Sequence, residues 1–479
     1  MRKIGWSRLA IVLAPMAVAG CVMGPNYQRP AVAQPEQFRA QVTPAEATSF
    51  ADLAWWDLFN DPALQALIRQ SLTYNYDLAA ATARIDQARA IVRVARSQAS
   101  PQVTADGFAG AEQTLAPTRE DIGTAKFASI GGAFHAVWEL DLWGRIKRET
   151  EAARAHMYSE EEVRRGVMLT LVSDVATGYF RLLELDRQLQ IAQESQTRFR
   201  STHDLFSLRF EAGRDNRLPV ERAKASLDSS SARVADLQRQ IAQQENALSV
   251  LAGGFPHGIE RGRGLTAQTL PPAMPVGLTT DLVRRRPDIR KAEQDMIRAN
   301  AQVGAAIANF YPKIGLSTLA GFIGVNGQGN IDGGFGLWRA GLGFAGTLFD
   351  GGRLHAIYHE RQAFWDETVA KYKGTILTAF RETSDALVAQ QRLAERRAAL
   401  ETQVAALRQA VELADIRYHA GRANYFEVIE AEQQLFPAED ELAQVQQAQL
   451  VAVVDLYKAL GGGWKLSDEQ WSQPGVTRS

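Results

Sequence analysis

The sequence predicts an α+β membrane protein built twice on one plan, each half pairing β-strands of bilayer-crossing length with a very long antiparallel helical hairpin. Three observations predict it: an internal repeat at a fixed offset, two proline-free stretches of ~65 residues, and two regions whose hydrophobic period changes from 3.6 to 2.

The repeat is read from short matches in one register. Arg209-Phe210-Glu211-Ala212-Gly213-Arg214 corresponds to Arg417-Tyr418-His419-Ala420-Gly421-Arg422, an offset of 421 − 213 = 208. The same offset joins Gly144-Arg145 to Gly352-Arg353 and residues 247–254 to 455–462. Upstream it becomes 211, relating Asp77 to Asp288 and Ser100-Pro101 to Tyr311-Pro312. Three residues therefore change in number between the matched segments, as a loop tolerates. The chain is a tandem duplication.

Within each half the long stretch is helical. Residues 145–210 hold no proline and only Gly166 and Gly178 as interruptions, and 353–419 hold only Gly374. One helix of that length, at ~1.5 Å per residue, measures roughly 100 Å, deeper than a globular core. Val167, Leu171, Val175, Tyr179, Leu182, Leu185 and Leu189 recur every three or four positions, the stripe of a helix packed lengthwise on partners. Gly213 and Gly421 are placed to cap the helix ends, and Pro219 suits a first helical turn, so return helices begin near Leu218 and Phe426.

Two segments alternate instead. Between Ala128 and Leu142 the even positions are apolar, Trp138 among them, and the odd ones include Ser129, His135, Glu139 and Asp141. Between Leu337 and Phe349, Trp338, Leu342, Phe344 and Leu348 share one parity, while Arg339, glycines and Thr347 share the other. Candidate partner strands precede them at Gln102 to Thr114 and Lys313 to Val325, the second pair being joined by the glycine-rich turn 326–334. A greasy face and a wet face with interfacial tryptophans suit a transmembrane β-barrel better than an aqueous sandwich. Four strands close no barrel, since about eight are needed and an open edge in hydrocarbon leaves backbone groups unpaired, so other chains must complete it.

Composition excludes several classes. A formal net charge of −1, from 53 basic and 54 acidic side chains, is not that of a nucleic-acid binder. A single cysteine rules out an intrachain disulfide framework and a cysteine-based zinc site. Arg2 and Lys3 followed by an apolar run from Leu9 to Ala19 have the layout of a secretory signal peptide, too short to span a bilayer. The run ends in Val18-Ala19-Gly20-Cys21, which resembles the bacterial lipobox and implies a covalent N-acyl and S-diacylglycerol lipid on Cys21, with no other cofactor. Val22 is not the aspartate that retains such lipoproteins in the inner membrane, which directs the protein to the outer membrane. Pro25, Pro30, Pro35 and Pro44 make the segment after Cys21 an extended strap.

At this point the chain resembles the outer-membrane factor (TolC-like) family, its lipidated NodT/OprM-type branch above all. The resemblance covers nearly the whole chain: the lipobox, residues 285–290 with Ala292-Glu293, Tyr311-Pro312, Leu348-Phe349-Asp350-Gly351-Gly352-Arg353, Tyr418-His419-Ala420-Gly421 and residues 457–464. It implies a homotrimer closing a 12-stranded barrel, a 12-helix periplasmic tunnel, and tips that dock a periplasmic adaptor (membrane-fusion) protein above an inner-membrane pump of the resistance-nodulation-division, major-facilitator or ABC type. The tips carry Gly213, Arg214, Leu218, Gly421 and Arg422. By spacing from Gly421, the resemblance places the tunnel's apolar constriction on Phe426 and its acidic gate positions on Glu427 and Glu430. Tyr418 matches the tyrosine of the family's closing latch, but Ala423 stands where an arginine is expected and Pro219 where its aspartate acceptor is. The latch is thus absent or rebuilt, with Arg214, Asp215, Arg217 and Arg422 as alternative partners.

The implied organisation is a signal peptide (1–20), a lipid-anchored extended segment (21–60), a first-repeat helix (61–100), a first transmembrane hairpin (101–142) and a first long helical hairpin with its tip near 213 (143–254). A linker (255–281), a second-repeat helix (282–311), a second transmembrane hairpin (312–350), a second helical hairpin with its tip near 421 (351–461) and a tail (462–479) complete it. No enzyme constellation accompanies these elements. His355 and His359 are spaced i, i+4, but the acidic residue of the metalloprotease motif is missing after the first, so surface histidines are the default and no metal is expected. The glycines of 324–336 form a loop rather than a phosphate cradle. The expected function is the outer-membrane channel of a tripartite efflux or secretion system. The alternative is a lipid-tethered periplasmic coiled-coil scaffold without conductance.

Overall fold

A computed structural model describes residues 22–39, 41, 49–58, 60–117, 122–270, 275–277, 279–326 and 333–463. The signal region, Cys21, the centre of the 326–334 turn and the tail from 464 lie outside the described residues.

In chain order the principal elements are α1 (Pro62–Tyr74), α2 (Tyr76–Ser97), β1 (Gln102–Pro117), β2 (Ile122–Leu140), α3 (Arg145–Glu211), α4 (Arg217–Leu251), α5 (Thr279–Arg285), α6 (Pro287–Ala308), β3 (Lys313–Asn326), β4 (Gly334–Ala345), α7 (Arg353–His419) and α8 (Phe426–Ala459). The duplication is visible in these bounds. Helices α3 and α7, 67 residues each, begin and end 208 apart, and α2 and α6, 22 residues each, begin and end 211 apart.

Several expected boundaries move. The single first-repeat helix of 61–100 is two helices, because Asn75 leaves helical geometry and its side chain accepts from the Leu78 amide (3.0 Å) to start α2 afresh. Pro287 does the same between α5 and α6, since proline disfavours helix in the residue before it. The segment 21–60 is not wholly extended: a 3₁₀ turn at Phe50–Asp52 and one helical turn at Trp55–Leu58 bury Phe50 and Trp55. Strands β1 and β2 meet closer to their turn than the pattern suggested, and β4 runs earlier, ending at Ala345 rather than Phe349. The residues after it form the turn into α7, which Asp350 caps by accepting from the Gly352 (3.1 Å) and Leu354 (3.0 Å) amides.

The chain divides into two compact units. One gathers the described residues of Met1–Ala31, Ala83–Glu161 and Lys291–Lys373, and includes the sheet. There the two hairpins form one antiparallel sheet ordered β1-β2-β3-β4, the halves joining through β2 and β3 from Ala128↔Asn326 to Leu140↔Ile314. The register aligns Phe134 with Ala320 and Ala320 with Trp338. One face therefore carries Ile130, Phe134, Leu316, Phe322, Trp338, Leu342 and Phe344, all exposed in the single chain. The other carries Asp106 and His135, 3.3 Å apart, with Glu139 and Arg339. This unit also seats the strap. Buried Arg148 donates to the Met23 carbonyl (3.0 Å), the Gly24 carbonyl (3.0 Å) and Asn26 Oδ1 (3.1 Å), while Arg29 pairs with Glu293.

The other unit comprises the described residues of Val32–Thr82, Glu162–Arg290 and Gly374–Ser479. It is held by apolar stripes at helical spacing. Leu185, Ala192 and Leu237, with Leu189, Val234 and Ile241, join α3 to α4; Val404, Val411, Leu435 and Ala438, with Leu407 and Leu442, join α7 to α8. Gly178 does not interrupt α3 but admits α4: a β-carbon there would lie 2.8 Å from Leu248 and 3.0 Å from Gln244. Asp61 organises the loops of this unit, accepting from the Ala63 and Arg263 amides, Gln268 and the Tyr179 hydroxyl.

Candidate functional site: the helical tips

Both turns from long helix to return helix are built alike. Gly213 takes φ +67° and Gly421 φ +69°, a left-handed conformation that glycine adopts without steric cost. The Arg214 amide returns to the Arg209 carbonyl and the Arg422 amide to the Arg417 carbonyl, so each helix closes in a Schellman motif. Asn216 then caps α4 through the Leu218 amide (3.0 Å), and Asn424 reaches the Phe426 amide (3.3 Å). Pro219 sits in the first turn of α4, where a missing N–H leaves no helical bond unmade.

Between the two hairpins lies a cleft of ≈ 500 Å³ lined by Phe206, Arg209, Arg222, Tyr418, Tyr425 and Phe426. Arg209 Nη1 donates to the Tyr418 hydroxyl at 2.7 Å, and its Nε lies 3.9 Å from Asp215. The rings of Tyr418 and Tyr425 meet edge to face with centroids 4.7 Å apart, and Phe206 meets Tyr425 at 5.3 Å. The Tyr425 hydroxyl is 2.6 Å from Thr202 Oγ1; burial pushes its pKa up, and the hydrogen bond shared with Thr202 opposes that shift. Arg222 lies over the Phe426 ring at 5.5 Å.

Further along the same helices the two hairpins are joined by ion pairs. Arg198 of α3 reaches Glu432 of α8 at 3.4 Å, and Arg233 of α4 reaches Asp440 at 3.3 Å. Glu432 is only 3 % exposed and its Oε2 has no hydrogen-bond partner, so burial pushes its pKa above the usual carboxylate range although Arg198 pulls it down. Asp440 shifts in the same direction for the same reason, opposed by Arg233. Within the second hairpin Arg408 holds Glu439 at 2.5 Å.

The structure gathers the sequence-predicted residues at this end in part. Gly213 and Gly421 cap as expected, with Arg214, Leu218 and Arg422 exposed beside them. Tyr418 is engaged, but by none of the four expected partners: Arg209 takes it, because one helical turn before the Gly213 cap its guanidinium points across to the second hairpin. Glu427 pairs with Arg417 at 3.5 Å on its own hairpin, Glu430 is exposed, and Phe426 is half exposed beneath Arg222. Sequence reasoning missed Arg209, Tyr425, Thr202 and Glu432. The signal for Arg209 was the repeat itself, which pairs it with Arg417. His355 lies against Phe310, with ring centroids 5.0 Å apart.

A four-stranded sheet with one apolar and one polar face, in a chain that also folds two long helical hairpins, defines an outer-membrane channel with a helical periplasmic part. The chain belongs to the family described as Outer membrane efflux protein, whose model matches residues 67–254 and 278–462, the two halves of the duplication. It is 33% identical over 466 residues to a toluene efflux pump outer membrane protein, TtgC, of Pseudomonas putida, covering 96% of each. It is 30% identical over 451 residues to the cation efflux system protein CusC of Escherichia coli, covering 94% of this chain and 97% of the relative. Among solved structures, the outer-membrane channel OprN superposes with a TM-score of 0.83 at 30% identity, over 93% of this chain and all of that one. The protein is accordingly the outer-membrane channel component of an efflux system, resident in the outer membrane and extending into the periplasm.

Proposed function

We propose that three copies of the chain close a 12-stranded barrel and a 12-helix tunnel, and that the tips form both its gate and its dock for a periplasmic adaptor. The observation that carries the reading is the sheet: among the described residues β1 and β4 are edges without a partner strand, and hydrocarbon does not tolerate them open. Closure by rotation around a shared axis uses β4 of one copy against β1 of the next, a head-to-tail contact that ends in a ring. Phe426, Glu427 and Glu430 line the narrowed end, where three copies of each glutamate repel one another and attract cations. Gly213, Arg214, Leu218, Gly421 and Arg422 present the adaptor-docking surface, with a pump of the resistance-nodulation-division, major-facilitator or ABC type beneath. Relatives of similar identity are named for toluene, antibiotic and cation efflux, which fits a passive duct whose cargo is chosen by its pump. An N-acyl and S-diacylglycerol lipid on Cys21 tethers the strap, adding to a barrel that inserts by itself.

Purified protein in planar bilayers, together with heat-modifiable trimers in outer-membrane fractions, tests the proposal. Ion conductance by the trimer is expected. A soluble, non-conducting form after Cys21→Ser would refute it in favour of a lipid-tethered scaffold.

A further inference from the structure

Each open edge of the sheet leads into an exposed apolar patch. Before β1, helix α2 turns Ile91 (48 % exposed) and Val94 (65 % exposed) outward; after β4, Leu348 is fully exposed and Phe349 is 91 % exposed. Large apolar residues left bare in sequence at a turn are not scattered surface hydrophobics. The turn is also ordered: Gly351 and Gly352 adopt φ +63° and +89°, and Asp350 caps α7, which holds Leu348 and Phe349 away from their own chain.

The strand directions decide what lies opposite. All neighbours are antiparallel, so the start of β1 and the end of β4 share one margin of the sheet. The register follows a row from Gln102 to Val137, from Val137 to Ser317 and from Ser317 to Gly341, and β4 continues four residues beyond that row to Ala345. The sheet therefore descends from β1 to β4, and pairing β4 with β1 of another copy in the same sense brings the segment just after β4 beside residues just before the next β1.

We infer that Leu348 and Phe349 of one protomer pack on Ile91 and Val94 of the next copy, an apolar seam where the barrel meets the helices. The inference rests on the trimeric reading and adds the surface through which adjacent copies recognise each other below the strands. Ile91 and Val94 precede the β1 edge in sequence and Leu348 and Phe349 follow the β4 edge, so one copy supplies the knob and the next the socket, as a ring requires.

The test uses the full-length protein in outer-membrane vesicles, with introduced cysteine pairs Val94→Cys/Leu348→Cys and Ser97→Cys/Phe349→Cys. Mild oxidation should yield covalent dimers and trimers for at least one pair and none for the four single variants. Trimers that form and conduct yet cross-link no better than the single variants would overturn the seam while leaving the trimer standing. Absence of trimers in the unmodified protein would instead overturn the trimeric reading. In parallel, Leu348→Ser/Phe349→Ser should lower the temperature at which trimers dissociate in detergent, with the conductance of surviving trimers unchanged. An unchanged dissociation temperature would assign these side chains to the lipid headgroup region and likewise overturn the seam.

Discussion

Replacing Tyr418 by phenylalanine removes one oxygen from the tip and little else. The ring keeps its edge-to-face contact with Tyr425, so the change isolates the bond donated by Arg209. A hydrogen bond to a charged group contributes about 1.5–3 kcal/mol when shielded. The Arg209 side chain is 42% exposed, and solvent screening reduces the figure to about 0.5–1.5 kcal/mol. If the tips of three protomers part together, the losses add to about 1.5–4.5 kcal/mol, which favours the parted state about tenfold to a thousandfold. Single-channel recording reads this as open probability. Arg209→Ala should act similarly, and the double variant should add little to either single change, since both remove the same link. Open probabilities within twofold of the unmodified channel for both single variants, or fully additive effects, would refute the assignment of this pair as a latch.

Glu430→Ala should raise single-channel conductance or antibiotic leak by removing charge from the narrowed end, and unchanged conductance in bilayers would sink that gate position. Glu432→Gln tests the buried carboxylate through thermal unfolding at several pH values. Its pKa is raised in the folded protein, so the stability it contributes is full below the unfolded value of about 4.3 and is lost as pH rises through the raised folded value; the variant should show a flatter profile across that window, and an identical profile would refute the shift. Arg148→Ala leaves the strap carbonyls of Met23 and Gly24 without their donor, and limited proteolysis should then cut the strap at least several-fold faster while the sheet stays protected. Equal cleavage rates would show that the strap is held by other contacts, such as the Arg29–Glu293 pair.

Most of the architecture was legible because it depends on periodicity and repetition. The 208-residue offset related both ends of α7 to those of α3, and alternation marked β2 and β4, with β1 and β3 read as the partner strands preceding them. What escaped were features set by tertiary contact. The joining of two hairpins through β2 and β3 leaves no mark in either strand's own pattern, since alternation reports the faces of a strand and not its neighbour. Gly178 read as an interruption because its purpose, the approach of Leu248 and Gln244, lies on another helix. The ends of β4 were misplaced because Leu348 continues the apolar parity of the strand although Asp350 has already begun to cap α7. At the tips, the caps were local and readable, whereas the partner of Tyr418 lies 209 residues away in sequence.

The duplication also explains why the tip holds as it does. Arg209 and Arg417 occupy equivalent positions, yet Tyr418 corresponds to Phe210, which has no hydroxyl, and Glu427 to Pro219, which has no carboxylate. Glu430 and Glu432 correspond to Arg222 and Lys224, and Glu439 and Asp440 to Ser231 and Ala232. The second return helix has thus become acidic where the first is basic or neutral. The charged links between the hairpins follow from that partition: Arg209 to Tyr418, Arg198 to Glu432 and Arg233 to Asp440 each run from a cation on the first hairpin to an oxygen on the second. With the first hairpin's residues at these points, Arg198 would face a lysine, Arg209 a phenylalanine and Arg233 an alanine. Divergence of the repeat places an oxygen opposite each of the three cations, although burial leaves Glu432 and Asp440 harder to ionise than free carboxylates. Because burial between the hairpins raises both pKa values, protonation favours the joined state over a solvated, parted one. Acidification through the raised values should therefore lower open probability and raise the unfolding temperature together, and an open probability that rises as pH falls would refute this.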